Sequence, residues 1–496
     1  MPTPRDASAI ILLRHGTDPT SPEVFFVKRS DKLAFLAGIH AFPGGQIDET
    51  DRDVEVRNCS DPQLALMMSG AARELFEELG VLLTHGSELL TKGQRVSLLD
   101  DLESGRMSWP RLLRHYELYL DANDFTFVGR WVTPPFSLRR FDTWFFLATC
   151  PAKQEPNVIP GELAGGEWIK ASDAYNLWLQ SDITAVPPTL HALKTLAGGI
   201  TPDLVERFLA IPNAHGETVR RIEFRPNYIC FPVRTPTRPP ATHTNCYIVY
   251  SSSEILIIDP GSPYEDEQLA LASAIDELIV EGRTVRGIVL THLHPDHVGG
   301  VNALKSHLRS SVPVAAHKAT AEALTEIEVD NSIEDNEVLT LGGEPSIELR
   351  ALHTPGHARG HLCFHDRKRR VLLTGDNILG LGSVLIDPPE GNMIDYMQSL
   401  ERMRSIPDLS ILFGGHGPAI ATPYQKLDEY INHRLERERD ILDAVQSGIT
   451  EPAAIVAAVY TDVSPKAYVM AERSVLAHLE KLRAEGKLNA TESKLG

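Results

Sequence analysis

The chain has 496 residues, 42% of them hydrophobic, so it is too long for one core and about three domains are expected. Its 67 acidic against 48 basic side chains leave a net charge of −19, which argues against a broadly basic nucleic-acid surface and fits a cytoplasmic protein. The cysteines (Cys59, Cys150, Cys230, Cys246, Cys363) are scattered without a CxxC spacing, which argues against a disulfide framework. The N-terminus carries no signal-peptide pattern, and no apolar run approaches the ~20 residues that span a bilayer, so no membrane association is expected.

Residues 8–30 read as strand, turn and strand, and Pro43-Gly44-Gly45 is a forced turn whose glycines let backbone approach a ligand. Leu64 to Leu83 reads as a helix. Within it Glu74, Glu77 and Glu78 fall at i, i+3 and i+4 and share one face. Like charges so placed repel unless a cation sits among them, and carboxylates on a rigid face suit Mg2+ or Mn2+. The alternative is a solvated acidic face.

Gly45 followed by the run Arg73 to Val81, RELFEELGV, resembles the Nudix box, G-x5-E-x7-R-E-U-x-E-E-x-G-U. The second half matches at every fixed position. In the first half Asp51 replaces the glutamate, and residues 52–72 stand where the pattern has seven residues. This insertion, with AFPGG, WVTPP (Trp131 to Pro135), RRFDTWFFLA (Arg139 to Ala148) and VPPTL (Val186 to Leu190), resembles the peroxisomal coenzyme A diphosphatase subgroup. Arg29, Ser30 and Gly38 match that subgroup's signature, whereas Ala34 stands where it has arginine. The resemblance covers about residues 5–205 and implies a Nudix α/β/α sandwich over 1–205 that hydrolyses a nucleoside-diphosphate-linked compound. Glu74, Glu77 and Glu78 would hold Mg2+ or Mn2+, with the Gly44 carbonyl a candidate further ligand, and Glu77 and Glu78 would be catalytic. Gly44, Gly45 and Arg29 would meet substrate, Arg73 would orient the acids, and Glu162 and Glu167 are candidates for a further ligand or base. The other reading is a non-catalytic, nucleotide-sensing module.

Residues 206–225 are expected to be a linker, and the proline-rich run RTPTRPPATH that follows reads as a crossing segment at the domain junction. TNCYIVY and EILIIDPG are then strands, LALASAIDELIVEG is an amphipathic helix, and RGIVL is a strand that delivers THLHPDHVGG. His292, His294, Asp296 and His297 crowd the loop at its end, where imidazole and carboxylate suit zinc or a similar metal. Three further pieces repeat the pattern of an apolar run, a glycine and a ligand type: LHTPGHARGH with His353, His357 and His361, RVLLTGD with Asp376, and ILFGGHGP with His416. Such recurrence gathers ligands at one sheet edge.

THxHxDHxGG, PGH, GD and GHG in this order resemble the metallo-β-lactamase superfamily. The resemblance implies an αββα sandwich over 226–425 holding two Zn2+, or Fe or Mn. His292, His294 and His357 would bind the first metal, Asp296, His297 and His416 the second, and Asp376 would bridge. Asp296 would be catalytic, and a hydroxide shared by the metals would attack a thioester or phosphodiester. His353, His361 and Asp259 are expected in supporting roles, and His307, His317 and His365 have none. Residues 426–496 resemble the winged-helix-like tail of the lactamase-β-like-2 and glyoxalase-II-like subgroup, as does GNMIDYMQSL (Gly391 to Leu400). That subgroup includes thioesterases on carrier-bound acyl chains and a mitochondrial single-strand ribonuclease, so a ribonuclease is the alternative for this half. Near-balanced charge in the tail favours a packing role over nucleic-acid binding. The expected fold class is thus multidomain, α/β and α+β. The expected partners are small-molecule substrates, with the oligomeric state open.

Overall fold

The computed structural model describes residues 3–33, 36–134, 136–309, 312–461 and 463–488. Ala34, Pro135 and the last residues of the tail, 489–496, lie outside them. The chain forms two compact units, Met1–Pro226 and Asn227–Gly496. No helix of the described residues is long and apolar enough to cross a membrane.

In the first unit the strand Arg5–Leu13 runs parallel to Phe141–Thr149 along its whole length and antiparallel to Gly44–Gln46, so Gly44 and Gly45, expected in a turn, stand in a short strand paired to Ala9 and Ser8. The helix Pro62–Leu79 packs on this sheet through Met67, Ala71, Leu75 and Leu79. It lies earlier than the expected 64–83. Asp61 caps it by accepting from Gln63 N and Leu64 N, Pro62 starts it, and Gly80 ends it in the left-handed region at φ 67°.

The expected linker is folded chain of this unit. It holds the end of the helix Leu204–Leu209 and a strand, His215–Thr218, paired with Thr126–Val132. Phe208, Ala214, Ile222, Phe224 and Arg225 are buried. Apolar side chains at these positions bind the segment down; prolines alone do not make a chain a spacer. The proline-rich run belongs to the second unit, as a loop after the strand Tyr228–Arg234.

The second unit stacks two sheets. One contains Tyr228–Arg234, His243–Tyr250, Glu254–Ile258, Thr284–Val289, Val314–Ala316 and Asn331–Ser332 in that order. The other contains Val338–Leu341, Ile347–His353, Leu362–Asp366, Val371–Gly375 and Ile411–Gly414. Tyr228 and Tyr247 of the first pack on Phe413 of the second, at 5.9 and 5.4 Å between centroids. Helices Glu265–Val280 and Val301–Leu308 cover the outer face of the first sheet. Met393–Arg404 and the start of Pro423–Gln446 cover that of the second.

Residue 426 is not a boundary, because it lies inside the 24-residue helix Pro423–Gln446. Leu427, Tyr430 and Ile431 of this helix join the sheet core, while Ile441, Ala444 and Val445 join a separate helical core with Ile455, Val475 and Leu482. One amphipathic helix thus serves both bodies.

Candidate metal centres

In the second unit each chemistry-bearing residue follows the C-terminal end of a strand: Asp259 after Glu254–Ile258, His292 to His297 after Thr284–Val289, Asp376 after Val371–Gly375 and His416 after Ile411–Gly414. Two glycines allow these loops to meet. A Cβ on Gly261 would stand 1.8 Å from the Asp296 carbonyl oxygen, and one on Gly415 would stand 2.3 Å from Asp376 Oδ1.

His292, His294 and His357 bring one nitrogen each within 4.8 Å of one another, and so do the ligand atoms of Asp296, His297 and His416. His292 Nε2 and His357 Nε2 both lie 3.0 Å from His294 Nδ1. Asp376 stands between the two groups, 3.3 Å from His297 Nε2 and His416 Nε2 and 3.7 Å from His357 Nε2. The structure therefore gathers all seven expected ligands at one place.

Hydrogen bonds on the far side of four of the five rings, those of His292, His297, His357 and His416, fix their tautomers. His357 Nδ1 donates to the Leu385 carbonyl at 2.9 Å, and His416 Nδ1 to the His243 carbonyl at 2.8 Å. His297 Nδ1 donates to Asp259 Oδ2 at 2.8 Å. Thr291 Oγ1 gives its own proton to Asp259 and accepts from His292 Nδ1 at 2.9 Å. Four Nε2 lone pairs then face the centre. His297 Nε2 and Asp376 Oδ1 are buried, close together and without a hydrogen-bond partner. Two acceptors facing each other need a positive charge between them, so the donor set fits divalent cations. Burial, with neighbouring imidazoles, holds His294 down to about 3. Burial also lowers His416, but Asp376 and Asp296 outweigh it and raise it to about 10; metal and proton compete for such a nitrogen.

Asp259 and His361 support the ligands. His361 Nε2 accepts the Asp376 N–H at 3.1 Å. His353 stands aside, stacked on His317 at 4.1 Å. The backbone carbonyls of Leu385 and His243 escape sequence reasoning because a carbonyl has no residue-type signal, whereas Thr291 beside His292 offered one. Over the centre lies a cavity of 660 Å³ walled partly by residues 236–241 of the proline-rich loop.

In the first unit Arg73 is clamped by Asp51, with Nε to Oδ1 and Nη2 to Oδ2 both at 3.0 Å, and Asp51 is fully buried. The same guanidinium reaches Glu74 at 3.0 Å, Glu77 at 2.6 Å and the Gln46 carbonyl at 2.8 Å. Asp51 thus meets Arg73 across the 21 residues that separate them. Gly44 offers its N–H, not its carbonyl, to Glu78 at 2.9 Å. A Cβ on Gly45 would stand 2.5 Å from Glu74 Oε2. Burial raises Glu74 to about 7 and, with Glu74 beside it, Glu78 to about 8. The three glutamates are not among the groups of ligand atoms converging within 4.8 Å in the described residues. Arg29 faces Glu162 at 3.9 Å, and Glu162 and Glu167 are exposed.

The family model described as Metallo-beta-lactamase superfamily matches residues 239–416, and that described as Beta-lactamase associated winged helix domain matches residues 452–494. A Drosophila melanogaster protein named Beta-lactamase-like protein 2 homolog is 32% identical over 261 residues, 50% of this chain and 85% of the relative. An Aspergillus fumigatus protein named Atrochrysone carboxyl ACP thioesterase is 34% identical over 207 residues, 41% of this chain and 60% of the relative. Among solved structures, a metallo-beta-lactamase family protein from Thermus thermophilus aligns at 24% identity and a TM-score of 0.43, covering 53% of this chain and 95% of its own. A NUDIX hydrolase from Alicyclobacillus acidocaldarius aligns at 29% identity and a TM-score of 0.35, covering 41% of this chain and 96% of its own.

Proposed function

Because the chain belongs to the metallo-β-lactamase superfamily, a family of metal-dependent hydrolases, we propose that its second unit hydrolyses thioesters. The observation that carries this reading is the convergence of four Nε2 lone pairs, His294 Nδ1 and two carboxylates around the unpartnered atoms of His297 and Asp376. The thioesterase name of the Aspergillus relative supports the choice of thioester. His292, His294 and His357 would hold one divalent cation, Asp296, His297 and His416 another, with Asp376 between them. Zinc and iron both suit such ligands. Bound there, the cations supply Lewis acidity and lower the pKa of water. The protein's own groups do the rest. Asp259, Thr291 and the Leu385 and His243 carbonyls would hold the imidazoles of His297, His292, His357 and His416 in their ligand tautomers. Asp296, which lines the cavity, would take the proton released as water attacks the carbonyl carbon. The C–S bond would then break, and that proton would pass to the departing sulfur, which leaves as the thiol.

The test is thiol release from acyl thioesters by the full chain, wild type against Asp296→Ala. Wild type without thiol release, or Asp296→Ala with unchanged release, sinks the reading.

For the first unit we propose a Nudix-type diphosphate hydrolase in an α/β/α sandwich, using Mg2+ or Mn2+ at Glu74, Glu77 and Glu78, with Arg29, Gly44 and Gly45 at the substrate. The Asp51–Arg73 clamp carries this reading, because it restores the arrangement that the changed box residue and the insertion put in question. A nucleoside-diphosphate-linked substrate should be cleaved by wild type and spared by Glu77→Gln and Glu78→Gln. Tight binding without turnover would instead mark a sensing module. An acyl-coenzyme A compound contains both linkages, so one cytoplasmic substrate class would serve both units.

A further inference from the structure

The helical tail reaches the mouth of the second unit's metal centre. One wall of the cavity above the ligands is built by helices that follow residue 423, including Arg434, Arg437, Tyr460, Val463, Met470 and Ala471. This wall is tied to the centre. Tyr430 accepts from Leu379 N at 3.2 Å, Arg434 donates to the Val384 carbonyl, and Arg473 Nε donates to Asp387 Oδ1 at 2.5 Å. The same stretch of chain supplies the Leu385 carbonyl that orients His357. A tail that only packed against the second sheet would not need to contribute to this cavity.

The chemistry of the lining is specific. Apart from the ligand aspartates Asp296 and Asp376, its charged side chains are the cations Arg238, Arg434 and Arg437, with His433 beside them. Arg434 is buried, with its guanidinium 5.4 Å from the Tyr396 ring, while Arg437 lies 4.6 Å over Tyr460. The same lining carries the apolar side chains of Tyr460, Val463, Met470 and Ala471. The cavity's 660 Å³ falls within the roughly 300–1,000 Å³ of small-molecule sites. Single-stranded nucleic acid needs successive aromatic platforms, and among the described residues Tyr460 is the one Phe, Tyr or Trp side chain lining this cavity.

We propose that the helical tail is the substrate-selecting wall of the metal centre, and that the cavity takes an amphipathic anion. Its apolar acyl chain lies along Tyr460, Val463, Met470 and Ala471, and its phosphate-bearing thiol portion meets Arg437 and Arg238. This rests on the thioester reading above and names the kind of thioester. Arg437 and Met470 are then specificity residues, acting on binding and not on bond breaking.

The test is calorimetric binding to the metal-loaded full chain of probes that cannot be hydrolysed. These are S-alkyl coenzyme A thioethers of increasing length, the matching S-alkyl N-acetylcysteamine thioethers, which lack phosphate, and a single-stranded oligonucleotide. Kd of the coenzyme A series should fall roughly fourfold per added methylene until the apolar lining is covered. Met470→Trp should abolish that dependence for long chains and leave the two-carbon probe unchanged. Arg437→Gln should weaken the phosphate-bearing probes about tenfold and leave the cysteamine series unchanged. Unchanged metal content in both variants shows that they are folded. Kd values that ignore chain length or phosphate, or an oligonucleotide that outcompetes the thioethers, overturn the proposal. Thiol release by wild type combined with such flat binding leaves the hydrolase reading standing and removes this one. Absence of thiol release removes the hydrolase reading, whatever the thioethers do.

Discussion

Asp259→Asn isolates the tautomer argument on which the metal centre rests. Asp259 accepts from Thr291 N at 2.8 Å, from Thr291 Oγ1 at 2.6 Å and from His297 Nδ1 at 2.8 Å. Its backbone sits at φ 54°, which asparagine tolerates. The amide keeps the Thr291 N bond, but its NH2 now faces His297 Nδ1. That ring must then carry its proton on Nε2, where the lone pair should face the cation. A charge-assisted bond is lost and replaced by the wrong tautomer, a change of about 1.5–3 kcal/mol. This equals roughly a 10- to 100-fold loss of affinity for the metal held by Asp296, His297 and His416, the range seen when an orienting partner is removed. The metal held by His292, His294 and His357 should be affected less. Metal content per chain after dialysis against graded chelator reads the two sites separately. Equal release of both metals, or release at the wild-type chelator concentration, refutes the reasoning.

Asp51→Ala leaves the buried Arg73 without its two-pronged partner, which costs about 3–5 kcal/mol and should lower the melting temperature of the first unit by roughly 10 °C in calorimetry. Gly45→Ala pushes only on the tip of Glu74, so melting should change little while Mn2+ binding, followed by electron paramagnetic resonance, weakens. In the tail, burial opposes ionisation of Glu438, but His478, Lys481 and Lys487 outweigh it and hold its carboxyl at about 2 against an ordinary 4.5. The resulting stability is present above pH 4.5 and fades as pH falls toward 2. Urea midpoints of wild type and Glu438→Gln should therefore differ at neutral pH and converge in acid, and a gap independent of pH would contradict this.

The candidate metal ligands were legible because each rare residue type follows an apolar run beside a glycine, a pattern that local sequence carries in full. The acidic face Glu74, Glu77 and Glu78 was legible for the same reason, since helical spacing alone aligns the three carboxylates. The domain joints were not. Residues 206–225 look like spacer because they lead into a proline-rich run, yet Phe208, Ile222 and Phe224 find a core only once distant strands supply it. The helix Pro423–Gln446 shows one continuous amphipathic pattern, and nothing in that pattern tells that its two ends face different cores.

By itself the sequence determined which side chains are candidate metal ligands and where most strands and helices run, because spacing and residue type act locally. Only the tertiary structure decided that Asp51 clamps Arg73 from 22 residues away and that Asp259, Thr291 and two backbone carbonyls orient four of the imidazoles. It alone also decided that a proline-rich loop and the helical tail wall the same cavity. These are contacts made through backbone atoms or buried charges between residues that local sequence does not pair; the Asp51–Arg73 clamp needs the first unit folded, and the others exist only after the second unit's sheets have stacked and brought their strand ends together.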